Sequence, residues 1–461
     1  MDNQSSYDSM MVFMASRETR PTDTAKRSAE APPATADPSR EALDPPAPAA
    51  AANATRAWRT RLVVLGIALA ALNLRPAITS LGALLEEVRD GLGMGGSMAG
   101  LLTSVPPFCF AVFGAMAPRL ARRFGPGAVV CAGMVVITAG LVVRPYVGGI
   151  AGFLAASALA LMGIAVSNVL MPVIVKRWFP RRVGSMTGLY SMALALGTAL
   201  AAAITVPLTD GLGGSWQAGL AVWAVLSAVA VLPWLALVRD RQATPGSEAA
   251  PAAGDEGHPA SPQLRIARSR TAWALAVFFG LQATAAYITM GWMAQIFRDA
   301  GVSADKAGLL LAVTMVMGVP LAFVIPRLAT RLPHQGPIVV ALGVCGLAGY
   351  AGLYLAPAGG AWAWAVLLGI ANCAFPLALT MVGMRSRTGG GVAQLSAFAQ
   401  STGYLISIPG PLLVGVLYQH SGGWGLPIAL MAALMIPQMA FGVMAGRDRT
   451  VEDEAARRPT R

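Results

Sequence analysis

Charge is scarce in this sequence. Asp, Glu, Lys and Arg together make up 12% of its 461 residues, against about 25% in soluble domains. Hydrophobic residues account for 55%, and many apolar stretches run to about 20 residues, the length that crosses a hydrocarbon core. A water-soluble globule is therefore excluded, and the chain reads as a polytopic membrane protein. Acids are scarcer still than bases, 22 against 34, for a net charge of +12. No Asp or Glu lies near the middle of any apolar stretch: Glu86, Glu87, Asp90, Asp210, Asp299 and Asp305 all sit at outer ends, and no histidine is intramembrane. A cavity for organic cations normally carries a carboxylate, and many proton-coupled carriers use a buried acid as the proton site; neither pattern is present. Cys109, Cys131, Cys345 and Cys373 fall inside apolar runs with no CxxC and no histidine pairing, so they read as packing residues, neither disulfide nor metal ligands. No paired carboxylates, metal cluster or nucleophile with a base appears at depth, which argues against an embedded enzyme and gives no reason to expect a cofactor.

What is present is a regular succession of spans. Residues 1–55, rich in Ala, Pro, Ser, Thr and Asp, read as a disordered cytoplasmic tail and not as a signal peptide. Six spans follow at approximately 61–84, 97–118, 127–146, 150–175, 184–208 and 217–238, within a first half taken as 56–238. A polar linker occupies 239–270. Six more spans lie at approximately 271–296, 304–326, 336–356, 362–384, 392–418 and 425–445, in a second half of 271–446, and 447–461 closes the chain as a charged tail. The basic residues gather in alternate loops: Arg56, Arg59 and Arg61; Arg119, Arg122 and Arg123; Lys176, Arg177, Arg181 and Arg182; and, in the second half, Arg327 and Arg331, Arg385 and Arg387, Arg447 and Arg449. The opposite loops hold only Arg89, Arg144, Arg298 and Lys306. This asymmetry is a topology signal rather than a nucleic-acid footprint, and it predicts a multi-pass protein with both termini in the cytoplasm.

The two halves repeat. Ala99-Gly100-Leu101-Leu102 recurs as Ala307-Gly308-Leu309-Leu310, and Pro118-Arg119-Leu120-Ala121 as Pro326-Arg327-Leu328-Ala329, both at an offset of 208 (307 − 99 and 326 − 118). Arg123 with Arg331 and Trp216 with Trp424 keep the same offset. Parallel six-span repeats predict an all-α membrane fold of twelve helices in two pseudo-symmetric halves, the signature of transport by alternating access.

One charge lies deep. In Leu72-Asn73-Leu74-Arg75-Pro76, Arg75 follows Arg61 by 14 residues, roughly 21 Å of helix, which is past the midplane of a hydrocarbon core about 30 Å thick. Exposure to lipid at that depth costs about 2.5–3.5 kcal/mol, so the guanidinium is expected to face a cavity or a partner. Pro76 frees the Leu72 carbonyl and predicts a kink beside the charge. Further polar or aromatic residues at mid-span are Asn73, Asn168, Tyr190, Gln282, Tyr287, Asn372, Gln400 and Tyr404; each is a candidate for substrate contact or for a helix–helix hydrogen bond. Arg144, some 17 residues past Gly127, falls near the outer interface and is expected to snorkel there.

The loop Gly114-Ala115-Met116-Ala117-Pro118-Arg119-Leu120-Ala121-Arg122-Arg123 resembles the G-x-x-x-D-R-x-G-R-R signature of the major facilitator superfamily. Gly114, Arg119, Arg122 and Arg123 match; Pro118 replaces the acid that helps latch the inner gate in that family, and Ala121 the second glycine. The resemblance implies gating roles for these four residues and for the repeat partners Arg327 and Arg331. Asn73-Leu74-Arg75-Pro76-Ala77-Ile78-Thr79-Ser80, with Ala99-Gly100-Leu101-Leu102-Thr103, Phe279-Gly280-Leu281-Gln282, Tyr287 and Trp292, is similar to the cyanate/2-nitroimidazole branch. That likeness implies a carrier in the bacterial inner (plasma) membrane for small, often anionic or polar molecules. Residue by residue the same expectation arises, because the one deep charge is positive and an anion complements its fork of donors. Two alternatives stay open: a proton-coupled drug or metabolite exporter, for which Pro409-Gly410-Pro411 and Gly415 speak, and a sensor or scaffold that transports nothing.

Overall fold

The computed structural model describes residues 48–242 and 266–456. A compact unit comprises 54–461; of the unit before it, 1–53, only 48–53 are described, and these are helical. All regular elements among the described residues are helices. Twelve are long and apolar enough to cross a membrane: Ala57–Ala83, Gly96–Phe124, Pro126–Val143, Gly149–Trp178, Ser185–Gly211 and Trp216–Val238, then Arg270–Asp299, Ala304–Arg331, Gly336–Leu355, Ala361–Met384, Gly391–Ser421 and Gly425–Ala445. Large apolar side chains such as Leu65, Val135, Val225, Leu232 and Ile436 stand exposed along them, as lipid contact requires.

The packing repeats with a period of six spans. The second span packs on the fourth as the eighth does on the tenth; the third packs on the fourth and sixth as the ninth does on the tenth and twelfth; the first packs on the fifth as the seventh does on the eleventh. Across the halves the fifth meets the eighth and the eleventh meets the second, contacts that the same shift exchanges. The chain is thus two pseudo-symmetric six-helix halves.

Segment boundaries differ from the sequence expectation where short helices extend into polar sequence. Of the expected tail, residues 1–47 lie outside the described residues, whereas 48–55 already belong to the helix Pro48–Asn73. Proline suits a first helical position, and the alanines after it have the highest helix propensity. The middle of the expected linker, 243–265, is outside the described residues; at its edges the sixth helix continues to Gln242, and Ile266–Arg268 forms a 3-10 turn. The closing tail contains the helix Val451–Ala456. Glu454 in it accepts hydrogen bonds from the hydroxyls of Ser269 and Thr271, both at 2.7 Å, and so caps the seventh span. Glu452 accepts one from Ser386 Oγ at 2.6 Å, beside the start of the eleventh. Burial works to raise the carboxyl pKa of Glu454, but these hydrogen bonds, with those from backbone N–H groups, outweigh it and hold the group below its ordinary value.

The halves are sealed together at the Arg-poor end. Three glycine faces let backbones touch: an added Cβ would lie 1.9 Å from the Met290 carbonyl oxygen at Gly82, 2.3 Å from that of Gly96 at Gly415, and 2.6 Å from that of Ala202 at Gly308. These contacts join the first span to the seventh, the second to the eleventh and the fifth to the eighth. Beyond them, Arg298 pairs with Glu86 and Glu87, each at 2.9 Å, on the short surface helix Leu85–Leu92. Asp299 accepts from Tyr418 Oη and Trp424 Nε1, both at 2.8 Å, and the Arg89 guanidinium lies 5.5 Å over the Tyr418 ring.

Candidate functional site

Pro76 determines the shape of the first span at its deepest charge. Its ring cannot donate to the Leu72 carbonyl, and the helix stops at Asn73, turns through Leu74 and Arg75, and restarts with Pro76 at its first position. The restarted turn is held by the Arg75 carbonyl, which accepts from the N–H groups of Ile78 at 3.0 Å and Thr79 at 3.1 Å. The freed Leu72 carbonyl meets the backbone of the fifth span at Gly197, where an added Cβ would lie 2.1 Å from its oxygen. Only a glycine permits that approach. The expected kink is therefore present, as a full break.

The break leaves Arg75 half-buried between the halves. Its guanidinium is within electrostatic reach of Tyr190, Tyr287 and Tyr404 and within hydrogen-bonding reach of Tyr287. Phe110 of the second span stacks at 5.1 Å on Tyr404 and lies 6.5 Å from Tyr287. Phe279 closes on Tyr404 edge-on at 5.3 Å. Tyr190 donates to Asn168 Oδ1, which ties the fifth span to the fourth. The fifth, seventh and eleventh spans thus each bring a tyrosine near this guanidinium of the first, and Phe110 of the second packs on two of those rings.

Four of the other candidates have their hydrogen-bond partners outside this cluster. Asn73 is fully buried within the first half and donates to Met134 Sδ at 3.7 Å. Gln282 donates to Asn372 Oδ1 at 2.8 Å and accepts from Gln438 at 2.9 Å, a chain linking the seventh, tenth and twelfth spans. Gln400 donates to Ser396 Oγ at 2.7 Å, one turn back on its own helix. Phe110 and Phe279 were not among the sequence candidates, because aromatic residues in apolar spans carry no polar mark.

At the basic end, Arg119, Arg122, Arg123, Arg327 and Arg331 are exposed; Arg123 lies 5.2 Å over the Phe124 ring. Gly114 is buried where the second span meets the fourth, 3.4 Å from Val169 Cγ2 for an added Cβ.

Arg144 contradicts its expectation. It is 2% exposed, turned back into the first half instead of out toward the interface. Its Nη1 donates to the Ala77 carbonyl at 3.0 Å, and its guanidinium lies 5.6 Å over the Phe153 ring. Arg144 still has helical backbone angles at the end of the third span, its N–H bonded to the Gly140 carbonyl at 2.9 Å. The Ala77 carbonyl of the first span gives its side chain an inward partner, and distance along the helix axis did not give that direction.

The matched family model is Major Facilitator Superfamily, over residues 63–408. The 2-nitroimidazole transporter of Escherichia coli (strain K12) is 32% identical over 402 residues, 85% of this chain and 98% of that protein. The cyanate transport protein CynX of the same organism is 29% identical over 384 residues, 82% of this chain and 97% of that protein. Among solved structures, the nucleoside transporter NupG superposes with a TM-score of 0.63 at 14% identity, covering 83% of this chain and 98% of that one. That last likeness concerns the fold alone.

Proposed function

The chain belongs to the Major Facilitator Superfamily, a multi-pass transporter of small molecules and not an enzyme, and from that premise we propose that it carries a small anionic or polar compound bound at Arg75. The observation that carries this reading is the placement of Arg75: a half-buried guanidinium between the halves, ringed by Tyr190, Tyr287 and Tyr404. A planar fork of donors suits a carboxylate, cyanate or nitro group, and the surrounding rings suit a flat molecule. The names of the two E. coli relatives agree with that chemistry. The absence of mid-span acids and histidines from the sequence leaves the substrate itself as the carrier of any coupled proton.

Transport proceeds by rocking of the halves about this site. The basic end faces the cytoplasm of a bacterial inner membrane, both termini with it. The conformation described is then closed to the outside. Arg119, Arg122, Arg123, Arg327 and Arg331, with Gly114, serve the opposite closure at the cytoplasmic end. Asn168 positions Tyr190, while Gln282 and Asn372 brace the second half.

The test is ligand binding to purified protein, after a thermal-shift screen of small anions and nitro-heterocycles has found a stabilising compound. Losing one partner of a buried charge pair costs about 2–5 kcal/mol, on the order of 30-fold to several thousand-fold in affinity. Arg75→Ala should abolish measurable binding, and Arg75→Lys, which keeps the charge but not the fork, should fall between it and wild type. A folded Arg75→Ala variant with unchanged affinity would make Arg75 structural and remove the anion reading.

A further inference from the structure

The donors of Arg144 are only partly used. Nη1 has the Ala77 carbonyl, while Nε and Nη2 are buried without a hydrogen-bond partner, as is the Ser157 hydroxyl. Arg144 and Ser157 line the same cavity, together with Ala77, Thr103, Leu161 and Tyr287, and its volume is about 20 Å³. Thr103 Oγ1 is already engaged: it donates within its own helix and accepts from Trp292 Nε1 at 3.2 Å. Of the acids at this end, Glu86 and Glu87 pair with Arg298 and Asp299 accepts from Tyr418 and Trp424; Asp90, Asp210 and Asp305 are exposed, and no acid lines the cavity. A buried cation with two idle charged donors, and no described carboxylate facing it, is a costly arrangement unless something supplies the missing charge.

We propose that Arg144 and Ser157 form a second anion site, taking one small monovalent anion of the halide class. The cavity exceeds the about 10–15 Å³ that one water needs, which leaves room for a small ion, and a lining that holds a guanidinium and no carboxylate sets the sign of that ion. Charge decides against water alone, because a neutral molecule satisfies donors without neutralising the guanidinium. Tyr287 links the two places: it lines this cavity and lies within hydrogen-bonding reach of Arg75. The halide site thus adjoins the Arg75 cluster and supplies a counter-charge to Arg144. The inference does not rest on Arg75 binding substrate.

The experiment uses purified full-length protein in the Arg75→Gln background, so that only one of the two guanidiniums remains. Thermal unfolding midpoints are measured while chloride or bromide replaces gluconate at constant ionic strength, with sulfate as the size control. A saturable rise with either halide, absent with sulfate, is expected. Ser157→Ala in this background should move half-saturation to several-fold higher halide, and Arg144→Gln should lose the rise. Equal midpoints in chloride and gluconate would overturn the proposal, since water then suffices. So would an Arg144→Gln protein that titrates like its parent. If Arg144→Gln fails to fold, Ser157→Ala decides alone, and an unchanged half-saturation concentration excludes the site.

Discussion

Asn73 and Arg75 stand two residues apart in the first span, yet the fold sends them into different surroundings. The helix stops at Asn73 and turns through Leu74 and Arg75, which leaves Asn73 in the packed interior of its half and Arg75 beside the tyrosines. The sequence offered both as candidates for substrate contact and did not separate them. Gln282 and Tyr287, also offered together, divide by helical rotation, five residues and therefore about 140° apart. Nor was the aim of Arg144 legible. Its depth along the third span was read from the sequence, but its direction depends on a receptive carbonyl at Ala77 in the first span, which has no mark in the local sequence. Gly197 is the converse case, an ordinary glycine in sequence that the fold makes indispensable. A methyl group there would meet the Leu72 carbonyl oxygen at 2.1 Å, backbone that cannot rotate away. Gly197→Ala should therefore destabilise the purified protein by about 1–3 kcal/mol. Gly211→Ala, at a helical glycine with open space around it, should not, and equal melting temperatures for the two variants would contradict the close approach.

At the scale of elements, twelve apolar spans and one linker were readable because hydrophobic length is a one-dimensional signal. Breaks within spans were readable where proline announced them, as at Pro76; the interruption of the tenth span at Cys373 has the same mark, since Pro376 cannot donate to the Asn372 carbonyl, which accepts from Gln282 Nε2 at 3.0 Å instead. The closing helix Val451–Ala456 was missed because six residues rich in acid resemble a solvated tail, and isolated helices so short are unstable. Its order comes from capping other helices. Glu454 holds the N-terminus of the seventh span, where negative charge also meets the favourable end of the helix dipole. Because its folded pKa is held below the ordinary value, about 4.3 for Glu, it stabilises the fold above that pH. The contribution fades as pH falls through the folded pKa. Glu454→Gln should cost about 1 kcal/mol at neutral pH, the scale of a lost cap on a partly exposed group. Its melting temperature should then drop less than that of wild type on acidification below about pH 4. Parallel curves for the two proteins would show that the closing helix adds no stability through this carboxylate.

For the whole molecule, the same shift by six spans that organises the packing also produces two ends that cannot both be closed through one set of contacts. The Arg-poor end is closed by glycine faces between three pairs of spans and by Arg298 with Glu86 and Glu87. The sequence placed these charges at loop ends, but pairing across 211 residues of chain has no local signature. The ion pairs are made only while the halves touch at that end, so their free energy acts on the conformational equilibrium rather than on folding of either half. They are partly exposed, and such pairs contribute about 0.2–1 kcal/mol each. Losing both in Arg298→Ala should shift the population toward an opened Arg-poor end by roughly two- to thirtyfold. A reporter is available at Ala202, fully buried beside Gly308 in the seal between the fifth and eighth spans. With Cys109, Cys131, Cys345 and Cys373 replaced, Ala202→Cys should react slowly with an impermeant maleimide added to the Arg-poor side, and several-fold faster when Arg298→Ala is added. Raised salt should speed the Arg298-bearing protein in the same sense, by screening the pairs, and should do little more to the alanine variant. An unchanged labelling rate in Arg298→Ala would leave the glycine faces as sufficient to hold that end shut, with the charges mere surface decoration.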